Sequence, residues 1–572
     1  MPYDIYGTYQ PGYENYWNNN IPVGTQVSGV TICGDGASGW AMPALFKTPT
    51  GHYVLFFETD VTENFCGMHL REPSNNVYRL AMPLQAEANN NGPVNPSWTL
   101  PWVMPWRVVA VDASPAGILE QTLAFDLATP SMIDDVSWIR PGRASWSWWS
   151  NEDVTRYSNV TPFIDMAQQF GWEYSLVDVG WNQMTSGGGG TWQDLVNYAK
   201  GKNVSLLFWY NSGGTNSTVN MQPRNRMSSA STRRNEMNTI STAGVKGIKV
   251  DFFHADKQWI IQYYLDILRD AAEYKLAVNF HGCTVPRGWQ RTYPNLMTME
   301  SVRGAEYYKY DGRYPSGQPV RNTILPFTRN AVGSMDYTPV TFTAMANRHI
   351  TTSGHELALS VMFESGIQHF ADRVSAYTSL SSDIRDFLST VPVAWDDTKY
   401  LLGEPGTYLV IARKKGDHWY VGGINGQRNS QSVTVPLSFL PSGVQYSMLR
   451  IADGSSNTTF DELQGTVEST GSITVTMSAN GGFVVRLKNL DPVRTIRKDK
   501  NETIRNHVSM LVSAGSVLRL PAGHKDKLTS VRIFNLNGKM LGSLQMENGR
   551  ILDLKRMGTG GKGLVIVKLE GY

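Results

Sequence analysis

The feature that most restricts the fold of this chain is a rhythm that begins at Ser145, where short apolar runs of strand character alternate with amphipathic helical patterns as far as Ala371. SWSWW (145–149) precedes VTPFIDMAQQFG, and EYSLVDVGW (173–181) precedes TWQDLVNYAKGK. SLLFWYN (205–211) and GIKVDFF (247–253) follow, then DKQWIIQYYLDILRDAAEYK, whose apolar residues recur with helical period. LAVNFHG (276–282), NLMTMES (295–301), MDYTPV (335–340) and GIQHFA (366–371) supply four more runs. Eight short strands separated by helices are what a (β/α)8 barrel requires, and such a barrel gathers its chemistry at the C-terminal ends of its strands.

The flanks read differently, and 572 residues are too many for one hydrophobic core. Residues 1–138 carry strand runs such as YVLFFETDV (53–61) and WRVVAVDAS (106–114) between Gly, Pro and Asn clusters, with no convincing amphipathic helix. The expected organisation is multidomain α/β plus all-β: a β domain over 1–138, the barrel over 139–398, a C-terminal β-sandwich over 399–490, a charged linker over 491–507 and a small β module over 508–572.

Charge separates the tail from the body. From Arg494 onward there are 15 Lys and Arg against 6 Asp and Glu, which leaves 36 against 43 for residues 1–493. The body is acidic and rich in aromatic residues, with 17 Trp and 26 Tyr in the chain, and carries no paired Cys/His zinc pattern, so nucleic acid is not an expected partner. No apolar run is long enough to span a membrane. Three cysteines, Cys33, Cys66 and Cys283, cannot form a disulfide framework, and Cys33 and Cys66 are either paired or merely buried. MPYDIYGTYQPGYENYW has neither the basic nor the apolar region of a signal peptide; either the protein is cytoplasmic or its true start is missing, and the Trp- and Tyr-rich composition favours the second.

Within a barrel, polar residues at strand ends outrank all others. These are Asp178 and Trp181, Asn211, Asp251, His281, Glu300 with Glu306, and Asp336. Asp251 closes a nearly apolar strand, so it is either functional or paired, for example with Lys249. Glu300 and Glu306, six residues apart with a Gly between, can turn toward one point as an oxygen-ligand site for Ca²⁺ needs, or can pair with Arg303. Two carboxylates across a mouth lined by Trp and Tyr suit a glycosidase, in which one protonates the leaving oxygen while the other attacks or activates water. GxSxG, HExxH and GxxxxGK[ST] are all missing from the sequence, and GGGG at 187–190 reads as a flexible loop.

ASWSWWS, EYSLVDVGWN, GIKVDFF, NFHG…PRGWQRTYPNLMTMESVRGAEYY and MDYTP occur in order, and over roughly residues 20–490 the chain resembles glycoside hydrolase family 97. The resemblance implies an N-terminal β-super-sandwich, here only partial, around the (β/α)8 barrel. It implies an exo-acting glycosidase, usually assisted by Ca²⁺, of either the inverting α-glucosidase or the retaining α-galactosidase branch. On motif positions Asp251 becomes the nucleophile, Glu306 the general acid/base, and Glu58, Glu300 and Glu306 the metal ligands. Asp178, Trp181 and His281 are expected to bind substrate. The inverting branch places base glutamates where this chain has Asn211 and Gly282, so a retaining α-galactosidase acting on α-linked oligosaccharides or polysaccharide side chains is the better match. An α-glucosidase of the same family, or a non-catalytic carbohydrate-binding protein on the same scaffold, is the alternative.

TSVRIFNLNGKMLGSL and GGKGLVIVKLEGY in the tail are similar to type IX secretion-sorting domains, the favoured reading, with an ordinary accessory β module as the alternative. Together with the composition they suggest a periplasmic, cell-surface or secreted protein that meets a secretion machinery through its C-terminus.

Overall fold

The computed structural model describes residues 40–71, 77–151 and 155–490, and outside them only the backbone of short strands. The chain divides into a unit ending at Asp491 and a second covering Pro492–Tyr572. The linker, the side chains of the C-terminal module, its proposed sorting role and Cys33 lie outside the described residues. Within the second unit the backbone forms a four-stranded antiparallel sheet and a separate strand pair.

The centre of the first unit is a parallel sheet of seven strands: Gly142–Trp146, Tyr174–Val177, Ser205–Asn211, Gly247–Asp251, Ala277–Phe280, Leu296–Met299 and Ile367–Phe370. They pair in chain order, and the last pairs with the first. The remaining gap lies at Met335, which forms a single parallel bridge with Met299. The sequence predicts a full strand over 335–340. It stops there because Pro339 lacks a donor while Thr338 and Val340 take positive φ values of 55° and 67°, which no ladder accommodates. The barrel is therefore nearly closed. Its first strand begins three residues earlier than SWSWW suggests, which leaves Trp148 at the mouth and buries Trp146 and Trp149.

The three helical patterns marked in the sequence form as Tyr157–Phe170, Trp192–Gly201 and Gln258–Glu273, whereas Ala230–Ala243, Tyr314–Ile324, Ser353–Met362 and Ser382–Thr390 are helices that the sequence reading does not mark. Gln258–Glu273 buries Ile260, Ile261, Tyr264, Leu265, Ile267, Leu268 and Ala271 along one stripe. Thr191 and Asp194 close a reciprocal capping box on Trp192–Gly201. Two helices in the N-terminal region, Pro115–Leu119 and Leu123–Asp126, are too short to show a period and are not foreseen.

Antiparallel sheets flank the barrel. Ala44–Lys47, Tyr53–Thr59 and Trp106–Asp112 pair in the N-terminal domain, and a six-stranded sheet with a separate strand pair builds the C-terminal one. The strand Tyr408–Lys415 shows how the C-terminal domain is attached: Leu409 and Ile411 join the core that runs through the barrel, while Val410 and Ala412 face the interior of the sandwich.

Candidate active site

The strand ends converge on a cavity of about 330 Å³ whose wall includes Asp178, Lys249, Asp251, His281, Glu300 and Glu306. Asp251 ends the fourth strand. Phe252 N donates to its Oδ1 at 2.7 Å and Trp209 Nε1 to its Oδ2 at 3.1 Å. The backbone then turns sharply, with φ of 69° at Phe252 and 43° at His254, strained values for residues with side chains and of the kind found where a group must be aimed.

Glu300 follows the sixth strand and accepts Gly282 N at 2.9 Å. Glu306 opens the short helix Tyr307–Tyr310, and its Oε1 accepts Trp148 Nε1 at 3.2 Å and the Tyr310 hydroxyl at 3.4 Å. His281 Nδ1 lies 3.4 Å from Glu300, while its Nε2 meets Asp336 at 2.7 Å. Ligand atoms of His281, Glu300 and Glu306 lie within 4.8 Å of one another. Arg303, the alternative partner for these glutamates, pairs with Asp311 and stacks on Tyr307.

Lys249 is buried and reaches Asp178 at 3.4 Å. Burial alone would favour the neutral amine, but Asp178, Asp251, Glu306 and Asp336 outweigh it and hold the pKa above the ordinary lysine value. Asp178 also accepts Trp146 Nε1 at 2.6 Å. Asp336 is held well below the usual carboxylate range: burial opposes its ionisation, and His369 and His281 overcome that.

Two expected members do not reach the cavity. Trp181 is buried in the barrel wall, stacked on Phe208 at 4.2 Å and donating to the Trp209 carbonyl at 2.7 Å. Gly180, with φ of 85°, swings the chain into a tight turn that carries the indole beneath the third strand. Glu58 is also buried, but Arg287 pairs with it directly, Arg107 approaches at 3.3 Å and Met68 N donates at 2.8 Å. Two guanidinium groups stand beside it, one of them shared with Asp256, its buried Oε2 accepts no hydrogen bond among the described residues, and it stands outside the His281–Glu300–Glu306 cluster.

Asn211 and Gly282 have clear structural duties. Asn211 Nδ2 donates to the carbonyls of Val219 and Met221, and its Oδ1 accepts Gly213 N, so its whole amide staples a loop. A β-carbon placed on Gly282 would stand 3.0 Å from Asp251 Oδ1 and 2.9 Å from His254 Nε2. Its tightest contact would be the Phe252 backbone nitrogen at 2.8 Å, so any side chain at 282 crowds the turn that carries Asp251.

Sequence reasoning missed Trp148, Trp209, Tyr307 and Tyr310 as parts of the wall. Only the alternation along SLLFWYN, which puts Trp209 on the same side as Asn211, signals one of them.

Comparison with known proteins agrees with this architecture. Residues 140–302 match the description "Glycoside hydrolase 97", residues 4–130 "Glycosyl-hydrolase 97 N-terminal", and residues 394–488 "Glycosyl-hydrolase 97 C-terminal, oligomerisation". The chain belongs to glycoside hydrolase family 97. It is 34% identical over 429 residues to a protein of Streptomyces bingchenggensis (strain BCW-1) described as "Probable retaining alpha-galactosidase", an alignment covering 73% of this chain and 61% of that one. It is 29% identical over 490 residues to "Retaining alpha-galactosidase" of Bacteroides thetaiotaomicron, covering 78% and 71%. The chain thus spans less than two thirds of the first of these relatives. Among solved structures, a β-arabinopyranosidase superposes with a TM-score of 0.76 at 32% identity, covering 83% of this chain and 75% of that one.

Proposed function

We propose that the chain is a retaining exo-glycosidase acting on α-galactosides by double displacement. The observation that carries this reading is the convergence of Asp251 and Glu306 on one cavity, with Gly282 leaving the space in front of Asp251 clear. In the first step an Asp251 carboxylate oxygen bonds to the anomeric carbon as the glycosidic bond breaks, and the Glu306 carboxyl gives its proton to the departing oxygen. In the second, the Glu306 carboxylate takes a proton from water, the water oxygen bonds to the same carbon, and Asp251 departs. Two inversions leave the configuration unchanged.

The surrounding residues support these roles. Trp209 and the Phe252 N–H stabilise the Asp251 carboxylate each time it is free. Lys249 and Asp178 form a charged pair at the cavity wall that can both donate to and accept from sugar hydroxyls.

Glu300 and Glu306 fit a hard cation, because their oxygens converge, and calcium takes roughly six to eight oxygen ligands, the rest from backbone or water. Glu58 is paired with arginine and is left out of the proposed set. A bound Ca²⁺ would supply fixed positive charge beside the acid. Loss of activity on exhaustive EGTA treatment, restored by added Ca²⁺, is the expected result; full activity in metal-free protein would remove calcium from this reading.

A second reading comes from the β-arabinopyranosidase likeness. β-L-Arabinopyranose is α-D-galactose without its sixth carbon, so one site can accept both. α-Glucosides, the alternative of the same family, differ at the C4 hydroxyl. Rates on the nitrophenyl α-galactoside, β-L-arabinopyranoside and α-glucoside rank the three, with the first expected to lead. Proton NMR of the first-formed sugar should show the α-anomer of galactose; a β-anomer would end the retaining reading, and no hydrolysis of any of the three would leave a binding protein. A periplasmic, cell-surface or secreted location belongs to the same proposal and rests on the sequence of the C-terminal tail and the aromatic-rich composition.

A further inference from the structure

The side of the cavity that holds Glu306 carries aromatic surface, half-buried at Trp148 and Tyr307 and exposed at Tyr310, that catalysis by the two carboxylates does not require. Tyr310 is 56% exposed although it borders the cavity. Four residues after Glu306 and at the end of the same short helix, it brings its ring beside the acid, with its hydroxyl 3.4 Å from Glu306 Oε1. Trp148 flanks the same oxygen from the first strand's loop. Lys309 joins the two rings: its ammonium lies 5.3 Å from the Trp148 ring and 5.6 Å from the Tyr310 ring, and it donates to the Trp148 carbonyl at 3.3 Å. Tyr307 meets Tyr310 edge to face at 6.2 Å. The Tyr310 ring is therefore held beside the acid with more than half of the residue's surface exposed.

A group protonated by Glu306 must bring its oxygen within hydrogen-bond distance of that carboxyl. Whatever is attached to the oxygen then lies within reach of the Tyr310 ring, whose hydroxyl touches the same carboxyl. A pyranose offers a C–H face that packs on an aromatic ring while its hydroxyls stay in water. We infer that Tyr310, braced by Lys309 and Tyr307, is the floor of a leaving-group subsite for a neutral sugar, so that the chain's preferred substrates are α-galactosyl oligosaccharides rather than galactosides of small alcohols. The inference rests on Glu306 being the acid and Asp251 the nucleophile.

The experiment compares melibiose, whose leaving group is glucose, with α-galactosyl fluoride, whose leaving group has no ring and needs little protonation. Steady-state kinetics are measured for wild type, Tyr310→Ala and Tyr310→Phe, with melting temperatures to confirm folding. Tyr310→Ala should lower the ratio of kcat/KM for melibiose over fluoride about tenfold, mostly through KM, as expected for the loss of a ring contact. Tyr310→Phe keeps the ring and should restore the ratio to within about twofold of wild type. Equal loss of the ratio in both variants would make Tyr310 a positioning residue for Glu306 through its hydroxyl and overturn the subsite. An unchanged ratio in Tyr310→Ala would also overturn it. Wild-type protein that cleaves the fluoride and not melibiose would sink the subsite while the glycosidase reading stands; inactivity on both would sink the two together.

Discussion

Gly282 packs against Asp251 so closely that a β-carbon at 282 would stand 3.0 Å from the carboxylate oxygen Oδ1. The end of the fifth barrel strand is thereby cut back to make room for the end of the fourth. Gly282 also has φ of 47°, a left-handed conformation that costs any L side chain. Gly282→Ala is expected to displace Asp251 and lower kcat by roughly ten- to a hundredfold, since small misplacements of reacting groups are expensive. Retained wild-type kcat in the folded variant would show that the tight approach has no catalytic meaning.

Trp209 donates to Asp251 Oδ2, a bond that in the proposed double displacement favours the free carboxylate over the glycosyl ester. Trp209→Phe removes the donor and makes Asp251 a poorer leaving group. Hydrolysis of the glycosyl-enzyme should slow by roughly tenfold or more. An activated aryl galactoside should then show a pre-steady-state burst. Equal slowing of both half-reactions, with no burst, would contradict this role.

Arg287 joins Glu58 to Asp256 in a fully buried cluster. Arg287→Met removes the guanidinium that two buried carboxylates share, leaving Arg107 beside Glu58, and should cost about 3–5 kcal/mol in a denaturant titration. Adding Glu58→Gln should recover part of that loss. A double variant no more stable than the single one would mean that Glu58 draws its compensation elsewhere.

Glu364 is half-buried, and desolvation raises its pKa despite hydrogen bonds from Ser334 and the positive charges of Arg413 and Arg329. A folded-state pKa above the unfolded one means that the associated stability is complete below the unfolded value and is lost as pH rises through the folded value. Glu364→Gln is therefore expected to melt higher than wild type near pH 7, by roughly 1–3 °C, and to match it near pH 4. The opposite pH trend would show that Arg413, which lowers this pKa from a distance, outweighs the burial.

What could be read from the sequence was local, and what could not was assembled from distant segments. GIKVDFF places Asp251 at a strand end by itself, because an apolar run closed by one acid has few other uses, and TMESVRGAE places Glu300 just past a strand with Glu306 in the segment beyond it. Trp148 reaches Glu306 across 158 positions of sequence, and Arg287 reaches Glu58 across 229, so no spacing reveals either contact. Trp181 misleads for a related reason: its polar, strand-end setting is real, but the turn at Gly180 sends the indole into the wall. The strand expected over 335–340 shrinks to one bridge because Pro339 and two left-handed residues interrupt a run that otherwise looks extended.

The central claim is that Asp251 becomes covalently bonded to the sugar, and chemical rescue of Asp251→Gly tests it most directly. Removing the side chain takes away the attacking oxygen and leaves a hole the size of a small anion beside the anomeric carbon. With nitrophenyl α-galactoside the variant should be slower than wild type by several orders of magnitude, because one hard displacement is no longer divided into two easier ones. Azide should restore nitrophenol release and yield β-galactosyl azide, the product of a single inversion at that face. A folded variant that keeps wild-type activity, or a dead one that azide leaves dead, would return Asp251 to the scaffold.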